Sequence, residues 1–246
     1  MLLAGDIGGT KTNLAIYSRE SGRQQPVAEA TFPSGQYPSL EALAGAFLGQ
    51  IHLPEPIDHA SFGVAGPVVD HRATITNLPW VMSEAQLEQA LHIPSVALLN
   101  DLEAIAHGIP FLEASELHTL NAGQRVQEGA MAVIAPGTGL GEAFLSWDGS
   151  EYRVHNSEGG HADFAPSNEL EIGLLRSLFE RFKHVSFERV CSGRGIPNIY
   201  KFLRDSGYAE EPPELADQLA QADDPSPVIF QGALREMTHT NCVSPR

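Results

Sequence analysis

The sequence predicts an α/β fold built from two related halves. An apolar run, a glycine-rich turn and a second apolar run occur at residues 2–18 and again at 131–147. A short apolar strand, "SVALLND" (95–101), ends in two polar residues, and ligands in α/β sheets collect outside the carboxyl ends of strands. After Pro166 the pattern turns helical, with "SNELEIGLLRSLFERFK" (167–183) the clearest amphipathic stretch.

Taken in order, "LLAGD" (2–6) and "NLAIYS" (13–18) predict a hairpin across the turn, and "VAEATF" (27–32) adds a third strand. "SLEALAGAFLGQI" (39–51) follows Pro38 with Leu40, Leu43, Ala44, Phe47 and Leu48 at helical spacing. "HASFGVAGPV" (59–68) reads as a buried strand running into a Gly-Pro turn. "SEAQLEQAL" opens with a capping-box pattern, Ser83 toward the first-turn amides and Gln86 reaching back. "MAVIAPGTGLGEAFLSW" (131–147) repeats the opening plan, and further helices are expected near 194–205 and 213–221. The lobe boundary is expected within 110–130.

With 246 residues the chain can bury a substantial core. Its formal net charge of -16 argues against nucleic acid, which needs a basic face. Acidity does not exclude a nucleotide, because backbone amides and Mg²⁺ can hold phosphates. Two cysteines, Cys191 and Cys242, are too few for a disulfide framework, and no Cys-x-x-Cys pair suggests zinc. No apolar run approaches the roughly 20 residues of a bilayer span, and "MLLAGD" lacks a signal-peptide pattern. These features predict a reduced, cytoplasmic protein with no membrane partner.

Five segments carry chemistry. In "GDIGGTKTNLAI" (5–16) the glycines let backbone approach an anion, Thr10 and Lys11 can donate, and Asp6 would meet the phosphates through water-coordinated Mg²⁺. The alternative is a hairpin whose glycines satisfy positive φ. "PGTGLGEA" (136–143) is a second such turn and fits neither the dinucleotide fingerprint nor the Walker loop. Two such turns fit a polyphosphate clamp better than two accidental hairpins. Asp101, after Asn100 at a strand end, suits a general base on a hydroxyl, or a helix N-cap. "SEGGHADFAP" (157–166) brings together Glu158 and His161, and "HVSFERVCSG" (184–193) adds Glu188; carboxylates, amides and imidazoles recognise polyols. Their bland alternatives are a solvated loop histidine and an ordinary surface acid.

In order along the chain, "GDIGGT", "AGPV", "TNLPW", "LLND", "GTGLG", "EGGHADFAP" and "ERVCSG" closely resemble bacterial ATP-dependent glucokinases of the hexokinase-actin fold. The sister sugar kinases with a structural zinc fit less well, because no cysteine cluster follows His161. The resemblance implies a two-lobed hexokinase/actin-like (ribonuclease H-like) α/β fold with mixed sheets and flanking helices. It implies a small lobe over 1–115 and a larger one over 116–246. It implies transfer of the γ-phosphoryl group of ATP to the glucose 6-hydroxyl, at the entry to glycolysis, with ATP and Mg²⁺ as cofactors and a possible homodimer.

Roles carry over residue by residue. Asp101 corresponds to the catalytic base, and Asn100, Asp101, Glu158, His161 and Glu188 to hexose ligands. Asp6, Gly8, Gly9, Thr10 and Lys11 form the first phosphate segment, with Asp6 facing Mg²⁺ through water. Gly137, Thr138, Gly139 and Gly141 form the second. The family pattern continues with a glycine-rich adenosine segment, a late strand and a final helix. Nothing in "FQGALREMTHTNCVSPR" resembles the adenosine segment, so the second lobe is expected to be C-terminally shortened. A second reading is therefore a non-catalytic sugar-binding or regulatory remnant, and a third an actin-like ATPase, which would have no use for Glu158, His161 and Glu188.

Overall fold

The computed structural model describes residues 1–20, 25–75 and 78–239, with side chains described through Leu234. The chain forms two compact units, Met1–Gly129 with Ser146–Val154, and Ala130–Leu145 with His155–Arg246.

The first unit runs β1 (Leu2–Ile7), β2 (Lys11–Tyr17), β3 (Ala28–Pro33), α1 (Leu40–Leu48), β4 (His59–Val64), β5 (Val68–Val69), β6 (Arg72–Thr74), β7 (Val81–Ser83), α2 (Glu84–Leu91), β8 (Ser95–Asn100) and α3 (Asp101–Gly108). Its main sheet has the order β3-β2-β1-β4-β8. The first three strands form an antiparallel meander, and β1, β4 and β8 are parallel. Alternation sends Leu3 and Ile7, Leu14 and Ile16, Ala60, Phe62 and Val64, and Val96 and Leu98 to one buried face. Gly5 sits in that row because a Cβ there would lie 2.6 Å from Phe62 Cδ1 and 2.8 Å from Leu14 Cδ2. Helix α1 adds Leu40, Leu43, Ala44 and Phe47 to the same core, and Ser39 caps it by accepting from the Ala42 amide at 3.3 Å.

Two local expectations change. Ser83 makes no capping hydrogen bond; it is buried at the end of β7, where its side chain cannot turn back toward α2. The acids of α2 serve the sheet instead: Glu84 Oε1 accepts from the Leu98 amide at 2.9 Å and Glu88 Oε1 from Val96 at 3.2 Å, covering amides on the outer edge of β8. The capping box lies at α3, with Asn100 as N-cap and Glu103 reciprocating. The strand expected to run from 59 into a Gly-Pro turn ends at Val64, and in that turn Gly66 packs its α-carbon against the Thr74 carbonyl where no side chain fits. Of the stretch "TNLPW", Thr76 and Asn77 fall outside the described residues; Trp80 is buried and donates to the Tyr37 carbonyl at 3.1 Å.

The second unit contains most of a three-stranded sheet, β9 (Met131–Pro136), β10 (Leu140–Trp147) and β11 (Tyr152–Ser157), in the order β11-β10-β9. Four helices follow: α4 (Glu169–Phe179), α5 (Ile196–Asp205), α6 (Pro213–Gln221) and α7 (Pro225–His239). Leu174 and Leu178 of α4 form a small core with Val185, against which Ile199 and Phe202 of α5 pack. Asn168 caps α4, while Glu171 folds back to accept from the Ser167 amide and hydroxyl. Among the described residues, no helix is long and apolar enough to cross a membrane.

Candidate active site

The first glycine turn joins β1 to β2. Gly8 N–H closes it on the Lys11 carbonyl at 3.0 Å, and a Cβ on Gly8 would meet that oxygen at 2.8 Å. Close approach, and not a positive φ, requires this glycine: the left-handed glycines among the described residues are Gly149 and Gly207. The Gly9 and Thr10 amides have no hydrogen-bond partner among the described residues. Adjacent free amides at a turn are suited to cradle an anion. Thr10 and Lys11 expose their side chains beside them.

The turn is fastened from β3. Ser34, fully buried, donates its hydroxyl to the Gly8 carbonyl at 2.7 Å and its amide to the Thr10 carbonyl at 3.0 Å. Its Oγ also lies 3.0 Å from the buried Thr12 Oγ1. Asp6, exposed at the end of β1, is held from the same side, because Asn13 and Thr31 sit opposite it in register. Thr31 Oγ1 donates to Asn13 Oδ1 at 2.8 Å, and Asn13 Nδ2 to Asp6 Oδ2 at 3.1 Å.

Asp101 and Asp6 both border Gly63. The register pairs Asp6 with Gly63 on the neighbouring parallel strand, and a Cβ on Gly63 would lie 3.8 Å from the Asp101 α-carbon. Gly63 thus leaves room for the head of α3 beside the row that carries Asp6. Asn100 supplies the cap, its Oδ1 accepting from Leu102 at 3.1 Å and Glu103 at 3.4 Å. Its Nδ2 donates to the Gly66 carbonyl at 3.1 Å, leaving one N–H for a ligand. The N-cap alternative therefore belongs to Asn100. Asp101 is the first helical residue, exposed, with Oδ1 taking the Leu102 amide at 2.8 Å.

In the second unit three segments meet at Leu140. The turn 137–139 closes by Gly137 N–H to the Gly139 carbonyl at 2.9 Å, and the Thr138 and Gly139 amides have no partner among the described residues. Glu188 approaches from the other side: its Oε2 accepts from the Leu140 amide at 3.0 Å and would lie 2.5 Å from a Cβ on Gly139. The double glycine of "EGGH" packs Gly160 against the Leu140 carbonyl and Gly159 against the Glu142 carboxylate, where no side chain fits. Gly141 lies one residue into β10, paired with Ala135.

That packing sets Glu158 and His161 on one short turn, with His161 Nε2 3.8 Å from Glu158 Oε2 and both side chains open to solvent. The 158–164 and 185–188 segments are tied by Phe187 N–H to Ala162 O at 3.0 Å and Phe164 N–H to Val185 O at 2.9 Å. Glu188 is half-buried and held, not the free surface acid of its bland alternative.

The displaced ionisation constants lie elsewhere. Hydrogen bonds from Ser167 hold the Glu171 carboxyl below its usual range, and burial with Glu211 pushes the Tyr200 hydroxyl up to about 12. Among the described residues no three His, Cys, Asp or Glu side chains group to hold a metal.

Sequence reasoning missed the residues that hold these groups. Ser34, Asn13, Ser192 and Asn198 are ordinary polar residues in the chain; Asn13 and Ser192 stood inside stretches already singled out, "GDIGGTKTNLAI" and "ERVCSG", without a role of their own.

A family model described as Glucokinase matches residues 3–241. The chain belongs to the glucokinase family. This glucokinase-family chain is 43% identical over 248 residues to the glucokinase of Nostoc sp., covering 96% of this chain and 72% of that one. The crystal structure of a glucokinase from an Antarctic psychrotroph superposes with a TM-score of 0.77 at 29% identity, over 94% of this chain and 74% of that one. The glucokinase of Balamuthia mandrillaris, solved in complex with glucose, shares the fold at a TM-score of 0.64 and 20% identity, over 95% of this chain and 72% of its own. The architecture is that of the hexokinase-type sugar kinases, and the family is one of ATP-dependent phosphotransferases.

Proposed function

We propose that this glucokinase-family chain transfers the γ-phosphoryl group of ATP to the 6-hydroxyl of glucose with Asp101 as the base. The observation that carries the reading is that Asp101 and Asp6 both flank Gly63 at the carboxyl ends of the parallel strands β1, β4 and β8. One acid serves the hydroxyl and the other the charge on the phosphates. The Asp101 carboxylate accepts the hydroxyl proton while the sugar oxygen forms a bond to the γ-phosphorus. The bond from that phosphorus to the bridging β-oxygen breaks, and ADP leaves. Phosphoryl transfer of this kind depends mainly on alignment and charge neutralisation.

Asn100 has one N–H free for a sugar hydroxyl, and Glu188 keeps its second carboxylate oxygen free while Leu140 fixes the first. Glu158 and His161 are open to accept or donate to further hydroxyls. The amides of Gly9 and Thr10, and of Thr138 and Gly139, are the donors for phosphate oxygens, with Lys11 as a nearby cation and Gly8, Gly137 and Gly141 shaping the turns. Asp6 would hold Mg²⁺ through water, and the ion would supply neutralisation of the developing phosphate charge. Family likeness also supports a cytoplasmic enzyme and a homodimer, the latter readable by sedimentation.

Asp101→Asn keeps the shape and removes the base. It should lower glucose-6-phosphate formation by about 10²–10⁴-fold while calorimetric glucose binding persists. Near-normal turnover of that variant refutes the assignment. Glucose binding by a wild-type chain that forms no product would instead support the non-catalytic sugar-binding reading.

A further inference from the structure

We propose that Asn198 is a positioning residue that sets the sugar carboxylate Glu188 and the second phosphate turn together. The proposal rests on the reading of Glu188 and residues 137–141 given above. Asn198 lies on α5 and is only 6% exposed, and both donors of its amide and one acceptor position of its oxygen are used. Nδ2 donates to the Arg189 carbonyl at 2.9 Å and to the Arg194 carbonyl at 3.3 Å, and Oδ1 accepts from Arg181 Nη1 at 3.0 Å.

The two carbonyls it binds bracket the 189–194 loop, and that loop is the grip on the glycine turn. Gly193 N–H donates to Gly137 O at 2.8 Å, Arg194 N–H to Thr138 O at 3.3 Å, and Glu188 takes the Leu140 amide. Gly193 has no room for more: a Cβ there would lie 3.0 Å from the Gly137 oxygen. Within the loop, Ser192 Oγ donates to Glu188 O at 2.7 Å and accepts from Gly195 N–H at 3.1 Å. The loop follows a 3₁₀ turn, Phe187–Arg189, and has no strand ladder, so side-chain amides and hydroxyls answer its part-buried carbonyls.

Removing the Asn198 donors leaves two carbonyls unpaired at once and lets the loop relax. Glu188 and the turn hang from that loop, so glucose and ATP should be affected together. A residue that merely stabilised α5 would change neither.

Asn198→Asp keeps the acceptor toward Arg181 and loses both donors. It should raise KM for glucose and KM for ATP on the order of tenfold each. Amide exchange at Gly193, Arg194 and Leu140 should quicken by a similar factor, with α4 unchanged. Asn198→Ala is the second variant, should the aspartate not fold. Ile199→Ala, which truncates a neighbouring packing residue, should lower the melting temperature and leave both KM values alone. Unchanged exchange at the three amides, or a rise in one KM only, overturns the proposal. If wild type forms no glucose-6-phosphate the kinase reading fails, and the exchange measurement still decides the role of Asn198.

Discussion

The two glycine turns have the same plan and opposite means of support. Each closes on itself through a glycine amide, Gly8 to Lys11 or Gly137 to Gly139, and each leaves two adjacent amides without a partner among the described residues. The first is fastened by Ser34, at the end of the neighbouring strand of its own meander. The second is fastened by Glu188, Gly193 and Arg194, about fifty residues further along the chain. A turn clamped within its own sheet keeps its shape for as long as the sheet does. A turn clamped by the loop bearing a proposed sugar ligand, Glu188, shares that residue's fate. The same substitution in the two turns should therefore do different things.

Gly8→Ala should have the larger effect. Its Cβ would meet backbone, the Lys11 oxygen, which cannot swing aside as a side-chain tip can. The hairpin must open, displacing the Gly9 and Thr10 amides and the strand end bearing Asp6. Misplacement near 1 Å can cost on the order of 100-fold in rate, so kcat/KM for ATP should fall by about that factor, read by a coupled assay. Ser34→Ala probes the same turn more gently. It removes a donor to Gly8 and leaves the buried Thr12 hydroxyl without that partner, a loss of about 1.4 kcal/mol, or about tenfold in KM for ATP. Calorimetric glucose binding should stay as in wild type in both variants; weakened glucose binding would break the contrast between the turns.

The same contrast explains what could be read from sequence. The first unit is legible because its sheet is a run of near neighbours: alternation gives β1, β2 and β3, and "ALLND" marks the sheet end where Asn100 and Asp101 emerge. The motifs offered candidate residues in both units, Glu188 included. They did not name what holds those residues. Ser83 carried a capping pattern and caps nothing, because burial of its side chain overrode the local preference. Asn198 gave no sign, because a buried asparagine on a helix is recognisable only once the carbonyls it answers, at 189 and 194, are folded around it. Local rules found the ends of strands; partners brought together across the chain fixed the loops.

Gly139→Ala is the smallest expected change and the sharpest test of the second turn. Its Cβ would meet the tip of a side chain, Glu188 Oε2, and the carboxylate can leave the Leu140 amide to make room. The fold should tolerate this, since Thr138 and Gly137 stay tied to Arg194 and Gly193 by backbone bonds. What is lost is the orientation of Glu188, a charge-assisted contact of about 1 kcal/mol, so KM for glucose should rise about fivefold. KM for ATP and the melting temperature should move little. A rise in KM for ATP matching that for glucose would mean that the Glu188 bond, and not the 193–194 backbone, holds the phosphate turn, and the two turns would then differ less than their hydrogen bonds imply.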